Sequence, residues 1–135
     1  MVETIEGREQ PLALVIRPEG EDRAGTQFVT ESSNPLQVGV IRRDSGDAIP
    51  AHSHKEFTAA YSGIRQEFII VSQGRLTVNI YDTDGAHVAS VPLGTGDALL
   101  QLAGGHGFEF EEKTRLLEVK QGPYMGKQQD KAIHG

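Results

Sequence analysis

The chain has 135 residues, the size of one domain. Thirteen Lys and Arg against nineteen Asp and Glu leave a net charge of −6. This acidity argues against nucleic acid or an anionic membrane as partner, since both select for a basic patch, and Arg42-Arg43 is the one adjacent basic pair. With no cysteine, disulfides, thiolate zinc sites and a cysteine nucleophile are excluded.

The first ten residues are polar and acidic. The apolar run that follows, Leu12–Ile16, is shorter than a signal-peptide core of about 7–15 residues and far shorter than the roughly 20 residues of a membrane span. The expectation is a soluble cytoplasmic protein with a single domain over 1–135. Its globular core would cover about 11–122, between a polar N-terminal arm and a polar C-terminal arm. No window sustains apolar residues at helical spacing between caps. The sequence instead predicts short strands at Leu12–Arg17, Gln27–Thr30, Leu36–Arg43, Pro50–His54, Glu67–Ser72, Arg75–Tyr81, His87–Pro92, Ala98–Leu102, His106–Glu111 and Arg115–Gln121. Such spacing, punctuated by Gly, Pro, Asp and Ser, points to an all-β sandwich or barrel.

Two of these strands carry more information. Leu76, Val78 and Ile80 alternate with polar neighbours, the pattern of a strand with one face on the core. Asp84-Gly85 then signals a hairpin. Phe68–Val71 is apolar on both parities, so a strand covered on both faces is expected, one by a second sheet and one by a partner subunit.

The candidate chemistry lies in histidines and one glutamate. In Pro50-Ala51-His52-Ser53-His54, strand geometry would put both imidazoles on one face, half of a metal site. Glu67 opens the most apolar strand and shares parity with Ile69 and Val71; a carboxylate on an apolar face calls for a partner or a metal. His106 shares parity with Phe108 and Phe110, an aromatic face. His87 and His134 lie at a hairpin and in the tail, and carry no weight.

These residues resemble the cupin superfamily. Its first motif, Gly-x5-His-x-His-x3–4-Glu-x6-Gly, is matched by Gly46, His52, His54, Glu67 and Gly74, except that twelve residues, Lys55 to Gln66, separate His54 from Glu67. The second motif is looser. The Gly96-Asp97 turn and His106 are kept, while Gln101 and Ala103 stand where Pro and Gly are usual and Phe110 where Asn is usual. The resemblance covers roughly Val38 to Val119 and is nearest to small single-domain bacterial cupins of the sugar-nucleotide epimerase-like type, through Gly104–Phe108 and Glu118–Tyr124. It implies an antiparallel jelly-roll barrel, the double-stranded β-helix.

The resemblance also implies one divalent transition metal, Fe, Mn, Ni, Co or Zn, held by His52, His54, Glu67 and His106, with Glu56 as the alternative acid. Two open coordination positions would then serve a small-molecule ligand beside an apolar wall of Phe108, Phe110, Ile69 and Val71. The functions implied are isomerisation or epimerisation of a sugar or keto acid, oxygenation, or ligand binding without turnover. A metal-free epimerase-like alternative would use His106 or His54 with Tyr81 or Tyr124. Arg65, Gln101, Glu118 and Lys120 are supporting candidates, Glu118 and Lys120 reading more readily as a solvated strand face. The apolar parity of Phe68 and Ile70 leads to the expectation of a homodimer, with N-terminal strands exchanged or laid alongside.

Overall fold

A computed structural model describes residues 1–18, 24–55 and 65–121, and every helix or strand assigned among them is a strand. The ten strands are β1 (Val2–Glu6), β2 (Pro11–Ile16), β3 (Gly25–Phe28), β4 (Gly39–Arg42), β5 (Glu67–Gln73), β6 (Arg75–Tyr81), β7 (His87–Gly94), β8 (Ala98–Gln101), β9 (Gly105–Phe110) and β10 (Arg115–Lys120). They form three antiparallel sheets, ordered β1-β2-β8-β5-β10, β3-β4 and β7-β6-β9, none closed into a barrel. The chain is thus all-β, and among the described residues no helix is long and apolar enough to cross a membrane.

The strands fall into two compact units, Met1–Glu19 with Ile64–Gly135, and Gly20–Gly63. The first holds the five- and three-stranded sheets packed face to face. Their shared core is built from Ala13, Val15, Ile69, Val71 and Leu99 on one side and Leu76, Val78, Ile80, Val91 and Leu93 on the other. The alternation of Leu76, Val78 and Ile80 has its expected outcome: all three are fully buried and the residues between them are not. In β5 the two parities separate, Ile69 and Val71 entering the core while Phe68 and Ile70 lie half-buried on the opposite face.

Two differences from the sequence reading have simple causes. Residues 2–6, expected in a polar arm, form an edge strand on β2. An edge strand with one core contact needs only one apolar residue of the right parity, and Ile5 supplies it. Pro50–His54, expected as a strand, has no regular secondary structure; Pro50 donates no backbone N–H. The second unit carries the two-stranded β3-β4 sheet, on which Phe28 and Ile41 stay exposed.

The β6-β7 hairpin closes on Asp82–Ala86, as Asp84-Gly85 predicts. Asp82 is buried at its base and accepts hydrogen bonds from the backbone N–H of Arg8 (3.0 Å) and of Thr83 (2.7 Å), clasping the β1-β2 turn. The Arg8 N–H, then that of Thr83, holds the Asp82 carboxyl below the ordinary aspartate value. Its contribution is therefore present above the unfolded-state pKa and lost as pH falls through the lowered native one. Asp82→Ala is expected to lower the melting temperature and to abolish hydrogen-exchange protection at the Arg8 amide, while the amides of β6 keep theirs.

Candidate functional site

The first unit brings four sequence candidates together at one end of the sandwich. Glu67 opens β5, Gln101 ends β8 directly opposite it, and Lys120 ends β10 on the other side. His106 comes from the facing sheet, where β9 sets it opposite Ile80. Its Nε2 stands 3.4 Å from Glu67 Oε1, and its Nδ1 lies 2.9 Å from Gln101 Oε1. The ring stacks on Phe108 at 4.8 Å between centroids, nearly parallel. A histidine of one sheet thus meets a carboxylate and an amide of the other.

Register also settles the face of β10. Glu118 is opposite Ile69 and Lys120 opposite Glu67, so both share the core-facing parity at its exposed rim. Burial works against ionisation of Glu67, but hydrogen bonds with His106 and Glu118 and the positive charges of His106 and Lys120 outweigh it and lower its pKa to about 2. Glu118 moves the other way, raised by its hydrogen bond to Glu67, by burial and by the neighbouring negative charge. Of the two carboxyl groups, Glu118 is therefore the one that protonates first as pH falls.

Gln101 is 4% exposed, and its Nε2 donates to Leu12 O (3.2 Å) and Ala103 O (2.5 Å). Position 101 stands out in the sequence as a departure from a motif and as a supporting candidate; its closeness to His106 depends on the pairing of β8 with β5 and the packing of β9 above them. Arg65, another supporting candidate, donates to Gln121 O at 3.0 Å and ties the start of β5 to the end of β10.

His52 and His54 lie in the second unit, exposed, with ring centroids 5.2 Å apart in an edge-to-face arrangement and His52 Nδ1 2.9 Å from Pro50 O. The two imidazoles are neighbours, although no strand holds them. Each unit thus brings together two of the four candidate ligands, and among the described residues there is no group of three or more His, Asp or Glu side chains that could hold a metal ion. Of the expected apolar wall, Ile69 and Val71 are buried in the core, Phe108 packs at its edge and Phe110 is exposed. Tyr81 points to the opposite face of the three-stranded sheet from His106, beside His87, with 5.6 Å between ring centroids. Tyr124, Glu56, most of the Lys55–Gln66 loop and the C-terminal arm lie outside the described residues.

No family model, curated protein or solved structure matches the chain.

Proposed function

We propose that the chain is a metal-binding protein of jelly-roll type whose Glu67–His106 end takes one divalent transition ion together with a small polar ligand of sugar or keto-acid type. The observation that carries this reading is the 3.4 Å between His106 Nε2 and Glu67 Oε1. It is longer than the usual N–H···O separation of about 2.9–3.0 Å. Two donors bound at about 2.0–2.2 Å to neighbouring positions of one ion stand roughly 3.0–3.5 Å apart. An imidazole and an ionised carboxylate also form the mixed N/O set suited to Fe, Mn, Ni, Co or Zn.

Such an ion supplies Lewis acidity toward a carbonyl or enediol oxygen. The chain's own residues do the rest. Glu67 stays ionised into acid, Glu118 takes up a proton more readily beside it, and Lys120 adds positive charge at the rim. A homodimer belongs to the same proposal, supported by exposed Leu117 and Val119 next to half-buried Phe68 and Ile70 on the far face of β5 and the edge strand β10; sedimentation at micromolar concentration tests it, and a monomeric mass rejects it.

The test of the metal site is metal content by plasma mass spectrometry on tag-free protein, reconstituted in turn with Fe(II), Mn(II), Ni(II), Co(II) and Zn(II). About one equivalent in the wild type is expected, falling to background in Glu67→Ala/His106→Ala. A separate His52→Ala/His54→Ala variant measures whether that pair supplies the further imidazoles expected from the sequence. Wild-type protein that takes up none of the five ions overturns the proposal.

A further inference from the structure

We infer that Gln101 is a positioning residue that fixes which nitrogen of His106 carries the proton. The inference deepens the metal-site reading above and rests on it for its functional meaning. The Gln101 amide has one workable orientation. Its Nε2 faces two backbone carbonyls, Leu12 O at 3.2 Å and Ala103 O at 2.5 Å. Turned over, its oxygen would confront two carbonyl oxygens; Leu12 O keeps the N–H groups of Leu102 and Ala103, but Ala103 O would lose the amide donor, at a cost of about 1–3 kcal/mol. Its Oε1 therefore faces His106 and can only accept, so Nδ1 of His106, 2.9 Å away, is the N–H donor.

The consequence falls on the other nitrogen. With Nδ1–H committed to Gln101, neutral His106 presents a lone pair from Nε2, the nitrogen that lies 3.4 Å from Glu67 Oε1. The pairing that lowers the Glu67 pKa belongs to the cationic ring; in the neutral ring Nε2 has no hydrogen to give Glu67, and an electrophile can take the proton's place. The amide thus leaves Nε2 of the neutral ring as the nitrogen available to a cation beside Glu67. This is the task that carbonyl and carboxylate partners perform for metal-bound imidazoles, fixing tautomer and ring orientation. Here a buried amide does it, itself fixed by the backbone of β2 and of the 102–104 turn.

Nitrogen-15 NMR of histidine-labelled, metal-free protein reads the proton position directly, at a pH well above the ordinary imidazole pKa of about 6.5. The wild type is expected to show His106 protonated at Nδ1 and bare at Nε2. A proton on Nε2, in the neutral or the doubly protonated ring, overturns the inference. Gln101→Leu is expected to move the proton to Nε2, where Glu67 accepts it, and to weaken Zn(II) binding by about 10–100-fold. A folded Gln101→Leu with an unchanged tautomer overturns the inference, and the wild-type spectrum decides it should that variant not fold. Wild-type protein with the Nδ1–H form and no Zn(II) uptake supports the role of Gln101 while rejecting the metal site, so the two failures are distinguishable.

Discussion

Gly104→Ala is expected to destabilise the fold by roughly 2–5 kcal/mol, summing a left-handed backbone penalty of about 1–2 kcal/mol with overpacking of about 1–3 kcal/mol. Gly104 has φ +68°, and a Cβ there would sit 2.1 Å from Tyr81 O. The obstacle is backbone, which cannot swing aside. The residue lies in the turn that carries the chain from Gln101 at the end of β8 to His106 in β9. A shifted turn would therefore also disturb the Nδ1–Oε1 contact between those two side chains. Gly107→Ala is the control: its Cβ would meet only a Tyr81 ring carbon at 4.0 Å, ordinary contact. Urea denaturation of both variants is expected to separate them by at least about 2 kcal/mol; equal midpoints would show that the turn yields.

The second large effect is a loss of stability in acid that depends on Glu67. Its native pKa of about 2 lies below that of a carboxyl in the unfolded chain, about 4.3. The stabilisation is therefore complete above the unfolded value and is lost as pH falls through the native one. The full difference corresponds to about 3 kcal/mol; partial exposure and the opposed shift of Glu118 reduce the expected step to on the order of 2 kcal/mol. Glu118, raised in the native state, contributes most below the ordinary carboxylate range and loses that contribution as pH rises through its own value. Denaturation midpoints from about pH 5 down to about pH 2 should fall in the wild type and fall less in Glu67→Gln. Glu118→Gln, which keeps a donor for Glu67 and removes a negative charge, is expected to gain stability at neutral pH. Parallel acid profiles for wild type and Glu67→Gln would show that Glu67 has no such role.

Much of the fold is legible residue by residue. Strand β6 declares itself because Leu76, Val78 and Ile80 repeat with the period of the pleat, and burial follows that period without exception. The hairpin at Asp84-Gly85 and the turn at Gly94–Asp97 follow from local conformational preference. Asp97 reinforces that turn by accepting from the Gly94 N–H at 2.8 Å and from Arg17. Strand β1 escapes notice because an edge strand buries almost nothing of its own, here Ile5 alone, and so carries no apolar alternation.

The site divides in the same way. Glu67 and His106 stand out in the sequence because a carboxylate and an imidazole share parity with apolar residues, and that conflict is local. That they meet is decided by the packing of two sheets, a distance no spacing in the chain encodes. Gln101 and Glu118 carry no such conflict: an amide at a strand end and an acid in a charged strand are ordinary. The placement of β8 between β2 and β5 gives Gln101 two carbonyls and a histidine, and the register of β10 gives Glu118 a carboxylate. Side-chain type and period therefore determined the strands and the residues with something to satisfy. Tertiary structure decided their partners, because hydrogen bonds and charges act over a few ångströms of space between residues far apart along the chain.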